Sequence, residues 1–136
     1  FYLRDRPGPL LMIAGGTGLA PMVAMLEHLK ATGQADRPVK LCFGVTGQKD
    51  LYFSEELLRL SKEMPNLECH TTIAQPDSTW SGHTGFVTDL IEPSDISEDS
   101  QAYLCGPPPM IAAARTKLDE LGLSPEAIFA EEFNPS

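Results

Sequence analysis

Leu10-Leu11-Met12-Ile13-Ala14-Gly15-Gly16-Thr17-Gly18-Leu19-Ala20-Pro21 decides the fold. Five apolar residues run without interruption between Pro7-Gly8-Pro9 and Gly15-Gly16, which predicts a short strand covered on both faces. Beyond the glycines, Met22, Val23, Met25, Leu26 and Leu29 recur at three- and four-residue steps. Glu27, His28 and Lys30 lie alongside and Gly33 comes at the stop, so the stretch predicts an amphipathic helix. A strand therefore turns into a helix on three glycines.

The same alternation continues downstream. Val39 to Val45 predicts a second strand, and Ser54-Glu55-Glu56 opens a helix whose Leu57, Leu60, Ser61 and Met64 share one face before Pro65-Asn66. Leu67 to Ala74 reads as a third strand, more polar and alternating, nearer a sheet edge. After a loop from Gln75 to Gly85, Phe86 to Ile91 predicts a short helix. Gln101 to Cys105 predicts a fourth strand, Ile111, Ala114, Leu118 and Leu121 a further helix ending at Gly122, and Ala127 to Phe133 a fifth strand. Strands alternating with helices predict an α/β fold, a five-stranded parallel sheet between two helical layers. Such sheets bind ligands beyond the carboxyl ends of their strands, where the chain order reverses.

Composition narrows the functional classes. The chain has 136 residues, 42% hydrophobic and 21% charged, which suits one soluble globular domain. Ten Lys and Arg against nineteen Asp and Glu give a net charge of −9, so no broad basic field exists to hold a nucleic acid or an anionic membrane. Three cysteines, Cys42, Cys69 and Cys105, show neither CxxC spacing nor an even count, which fits a reducing compartment and no metal cluster. His28, His70 and His83 lack metal-ligand spacing. No apolar run approaches the roughly 20 residues of a membrane helix, and no leader pattern opens the chain. A chain beginning at Phe1 is expected to be a piece of a longer one.

The residues at the strand ends carry the chemistry. In Gly15-Gly16-Thr17-Gly18, glycines allow backbone N–H groups to approach a phosphate, and the following helix points its positive end there, with Pro21 in its first turn. A tight turn needing glycine for geometry alone accounts for the bare pattern equally well. No Gly-Lys-Ser/Thr follows, so this is not a Walker loop. Cys105-Gly106-Pro107-Pro108-Pro109-Met110 sets a thiol at the end of the fourth strand before a proline-started helix. That cysteine reads as a packing residue, as a site contact or, with His70 or His83 as base, as a nucleophile. Asp50, after the second strand, suits a ribose hydroxyl or a solvated loop.

The phrases GGTGLAP (15–21), FGVTGQKDLYF (43–53), WSGHTGFVTDL (80–90) and YLCGPPPM (103–110), with Glu131-Glu132-Phe133 at the end, together resemble the pyridine-nucleotide domain of the ferredoxin reductase superfamily. They are most similar to the NADH reductases of aromatic-ring dioxygenases of benzoate and anthranilate type. The resemblance spans nearly the whole chain and implies a three-layer Rossmann-like sheet of order 3-2-1-4-5. Residues 1–8 would end a linker from a flavin domain, and 9–136 would form the NAD(H)-binding domain. It implies NADH across the strand ends, pyrophosphate over Gly16, Thr17 and Gly18, and nicotinamide near Thr17 and Cys105. Gly15, Pro21, Gly44, Gly106, Pro107 and Met110 would belong to the same groove.

On that resemblance, hydride passes to an FAD held by a barrel domain of the same polypeptide, then singly to a 2Fe-2S ferredoxin domain and an oxygenase component, in the cytoplasm. Neither the flavin motif nor a four-cysteine cluster motif occurs in these residues. Glu131 and Phe133 would lie against the flavin, or merely close the sheet. With no arginine from Glu68 through Trp80, and with Asp50 placed to repel a 2′-phosphate, NADH is expected over NADPH. The alternatives are a non-catalytic nucleotide-binding module, a reductase domain serving a phenol, toluene or methane oxygenase, or a flavodoxin-like or response-regulator domain. A response regulator needs an acidic cluster at its strand ends, and Leu10 to Gly16 carries no acid.

Overall fold

The structure, a computed structural model, describes residues 1–52 and 54–132. Its strands are β1 (Leu10–Gly15), β2 (Val39–Val45), β3 (Leu67–Ile73), β4 (His83–Thr84), β5 (Gln101–Gly106) and β6 (Ile128–Glu132). Three α-helices connect them: α1 (Leu19–Ala31), α2 (Ser54–Glu63) and α3 (Pro108–Glu120). The sheet runs β4-β3-β2-β1-β5-β6 with every neighbouring pair parallel.

The five expected strands keep their expected order, and a sixth is added at the edge. His83–Thr84 pairs with Thr72 and Ile73 for two residues only, and both its residues are exposed. So short and polar a stretch has no apolar alternation by which a sequence could announce it. The helix expected at Phe86–Ile91 is instead a single 3-10 turn, Val87–Leu90. Asp89 closes it by accepting the Phe86 N–H at 3.0 Å.

β1 is buried along its whole length because it has a strand on either side and a helical layer on each face. On one face, Met12, Ala14, Leu41, Phe43 and Tyr103 pack under Leu19, Met22, Leu26 and Leu29 of α1 and Leu60 of α2. On the other, Leu11, Ile13, Cys42 and Leu104 pack under Ile111, Ala114 and Leu118 of α3 and Val87 of the 3-10 turn. Period-two strands and period-3.6 helices thus fill two separate cores. Gly33 and Gly122, at φ +79° and +91°, end α1 and α3 in the left-handed conformation, where side chains other than glycine are strained.

The chain builds outward from β1 through β2 and β3, then crosses to β5 and β6 on the other side. The order reverses between β1 and β5, and a crevice opens beyond their carboxyl ends. Residues 1–8 are tied to this half of the sheet. The Arg4 N–H donates to the hydroxyl of buried Tyr103 at 2.8 Å, and the Gln101 amide donates to the Pro7 carbonyl at 3.0 Å. The Arg4 guanidinium lies 4.4 Å from the Phe129 ring centroid.

Candidate functional site

Beyond Gly15 the backbone turns through Gly16, at φ +56°, into a 3-10 turn over Gly16–Gly18 and then into α1. The five glycines of the region serve different ends. A Cβ on Gly16 would meet nothing within 4 Å, so its requirement is conformational and its outer side is open. A Cβ on Gly15 would meet Met110 Sδ at 2.5 Å, and one on Gly106 would meet Met110 Cε at 2.8 Å. A Cβ on Gly18 would sit 2.1 Å from the Cys105 carbonyl oxygen, and one on Gly44 2.9 Å from Val87 Cβ. Three glycines, Gly15, Gly18 and Gly106, therefore let the ends of β1 and β5 close on one another, and Gly44 lets the Val87–Leu90 turn lie against β2.

These turns border a cleft of about 850 Å³. Of the residues singled out from the sequence, Gly15, Gly16, Thr17, Gly44, Asp50, Pro107 and Met110 line it. Gly18, Pro21, Cys105, Gly106 and Glu131 are not among the residues that line it. Gly18 and Cys105 are both buried and face each other. Cys105 and Glu131 are register partners on β5 and β6, with Glu131 exposed. Phe133 lies outside the described residues.

Two aromatic lining residues were missed by sequence reasoning, Tyr52 and Phe86. Phe86 is 74% exposed, an unusual state for a phenylalanine, and stands at the cleft beyond the β3–β4 edge. Gly85, at φ +127°, turns the chain there, and its N–H donates to the Ile73 carbonyl at 3.1 Å. The phrase Gly-Phe-Val was the available signal, but nothing in it says that the phenylalanine faces outward.

The electrostatics favour an anion at one end and a hydroxyl at the other. The first turn of α1 holds neither an acidic residue nor a side-chain cap, so the positive end of its dipole is uncompensated. Asp50 uses Oδ2 to accept the Gly47 N–H at 3.1 Å, which fixes its carboxylate at the cleft beside Lys49. Burial, and secondarily the Glu131 carboxylate, push the Cys105 thiol up to about 11, so at neutral pH it is protonated. No histidine base is at hand: His70 and His83 line a separate polar hollow with Lys40 and Asp95. The geometry thus speaks against a Cys–His nucleophile.

Among the described residues no group of three or more His, Cys, Asp and Glu side chains could hold a metal ion, and no helix is long and apolar enough to cross a membrane. A cleft of this size, with mostly apolar walls, one open glycine and an uncapped helix start, fits an extended ligand with an anionic middle. A parallel sheet with such a cleft at its reversal point defines a dinucleotide-binding α/β domain.

Comparison with known proteins agrees: the chain belongs to the oxidoreductase NAD-binding domain family, whose pattern matches residues 12–116. It is 41% identical over 136 residues to the ferredoxin–NAD(P)(+) reductase component of the naphthalene 1,2-dioxygenase system of Pseudomonas putida, covering 98% of this chain and 41% of that protein. It is 38% identical to the anthranilate 1,2-dioxygenase electron transfer component of Acinetobacter baylyi, covering 98% and 39% respectively. Among solved structures, the cytochrome b5 reductase domain of Ulva prolifera nitrate reductase superposes with a TM-score of 0.80 at 25% identity, over 95% of this chain and 50% of that one. The chain spans about two fifths of the length of the curated relatives it matches. The expected ferredoxin reductase resemblance and Rossmann-like class are thereby established, with six strands in place of five.

Proposed function

We propose that this domain holds NADH across the cleft and presents its nicotinamide to an FAD carried by another domain of the same polypeptide. Electrons then pass through a 2Fe-2S ferredoxin domain to the oxygenase component of an aromatic-ring dioxygenase. The observation that carries the reading is the contact between Gly18 and Cys105, by which the glycine turn and the Cys-Gly-Pro turn flank one cleft. The identity to reductase components of dioxygenase systems supports the choice of chemistry.

In this reading the pyrophosphate lies against Gly16 and Thr17 at the start of α1, where backbone N–H groups and the helix dipole meet it. The adenosine ribose reaches Asp50, whose free oxygen accepts a 2′-hydroxyl and repels a 2′-phosphate, so NADH is preferred to NADPH. Exposed Phe86 offers the adenine a stacking face. The nicotinamide approaches Thr17 and the β5 end, which Cys105, buried and protonated, and its register partner Glu131 support without lining the cleft. When bound, NADH would supply a hydride from its C4 to the flavin of the neighbouring domain. The domain's part is alignment rather than proton transfer, because a hydride passes directly between two stacked rings without an acid or a base. Three free cysteines, two of them buried, suit the reducing cytoplasm.

The experiment is NADH-driven bleaching of flavin absorbance in the protein at its native length, beside residues 1–136 alone. The reading expects bleaching in the first, and nucleotide binding without turnover in the second. Absence of any NADH-dependent bleaching at native length would contradict it.

A further inference from the structure

The Tyr52 hydroxyl donates to the carbonyl oxygen of Gly16, reaching from the loop after β2 to the loop after β1. Both residues line the cleft. The Tyr52 ring is half-buried and meets Phe43 edge-on, with centroids 5.9 Å apart and planes at 89°, so the hydroxyl is delivered from a braced support. Burial also holds that hydroxyl in its neutral, donating form, because its pKa lies above the ordinary tyrosine value.

Gly16 is the one residue of the turn whose requirement is conformational, and glycine left to itself populates several backbone conformations. The peptide joining it to Thr17 is planar and trans, so fixing the Gly16 carbonyl also fixes the Thr17 N–H, which leaves the opposite edge of the same plane. An anion meeting that plane is attracted by the N–H edge and repelled by the carbonyl edge. A donor that engages the carbonyl selects the attracting orientation before any ligand arrives, and so removes an ordering cost from binding.

We infer that Tyr52 is a positioning residue for the pyrophosphate of the bound nucleotide, acting through Gly16 and the Gly16–Thr17 peptide. This rests on the reading of the cleft as the NADH site. It assigns to Tyr52 a selective effect on ligands that carry a pyrophosphate, which a merely structural tyrosine would not have.

The test is Tyr52→Phe in the protein at its native length, a change that keeps the ring against Phe43 and removes only the hydroxyl. Dissociation constants are measured for ADP-ribose, which has the pyrophosphate, and for adenosine, which lacks it. The expected result is a rise of about fivefold for ADP-ribose, of the order of the one hydrogen bond that orients the Gly16–Thr17 peptide, with adenosine affinity unchanged. Unchanged ADP-ribose affinity, or equal losses for both ligands, overturns the inference while leaving the NADH reading intact. A wild-type protein that binds neither ADP-ribose nor NADH overturns both. As a check independent of the variant, the Thr17 amide resonance of the wild type should shift on adding ADP-ribose; an unmoved Thr17 amide overturns the inference.

Discussion

Gly18 and Cys105 touch through the main chain: a Cβ on the glycine would stand 2.1 Å from the cysteine carbonyl oxygen and 3.3 Å from its Cβ. The start of α1 and the end of β5 are thus held together by the absence of a side chain. Cys105 is removed from the cleft wall by the same contact, since Gly18 and the turn around it lie against it.

Gly18→Ala must push two backbones apart, so we expect a loss of about 3 kcal/mol, the upper part of the range for overpacking. Gly16→Ala meets no neighbour and carries only the penalty of a left-handed φ, about 1 kcal/mol. Urea denaturation of the two variants checks the ranking. A Gly16→Ala variant less stable than Gly18→Ala would be incompatible with the packing described here.

Cys105→Ala removes a buried thiol that supports the site without lining it. We expect flavin reduction at native length to slow about tenfold through lost alignment, with the dissociation constant for NAD+ little changed. Stopped-flow flavin reduction under anaerobic conditions decides the matter, and a wild-type rate would take Cys105 out of the site.

Alkaline pH should weaken the fold. Burial pushes the Cys42 thiol up to about 12 and the Cys105 thiol up to about 11, from an ordinary value of 9.0. The folded chain therefore keeps protons that the unfolded chain releases. Their contribution is fully present below about pH 9 and is lost as pH rises from about 9 to about 12. Denaturation midpoints should fall across that window, and less steeply in Cys42→Ala. A parallel fall in wild type and variant would remove Cys42 as a cause.

Cofactor choice is testable at two positions. Asp50 lines the cleft, and Gln75 follows the end of β3, its N–H donating to the Thr46 carbonyl at 2.8 Å. Asp50→Ser with Gln75→Arg takes away a repelling carboxylate and supplies a guanidinium for the 2′-phosphate. The ratio of NADPH to NADH affinity should rise about tenfold, the worth of one charge-assisted hydrogen bond. Unaltered relative affinities in a competition titration would refute the assignment of Asp50 to the adenosine ribose.

Much of this was legible from residues 10–21 outward. The uncharged runs of β1 and β5 and the stepped methionines and leucines of α1 are direct traces of two-sided and one-sided burial. The roles of the glycines were only half legible. That Gly15 makes room for Met110 and Gly18 for Cys105 depends on distances between segments some ninety residues apart. Phe86 and Tyr52 escaped for a related reason. An aromatic in a mixed stretch looks like core, and only the tertiary structure shows one facing the cleft and the other capping a carbonyl. His83–Thr84 escaped because a two-residue edge strand is made by its partner, not by its own pattern.

If the turns after β1 and β5 form one nucleotide site, amide chemical shifts followed during titration with NAD+ will map it. Shifts should gather on Gly16, Thr17, Thr46, Asp50, Phe86 and Met110, around the cleft. Shifts confined to the hollow at His70 and His83, or no shifts at millimolar NAD+, would contradict it.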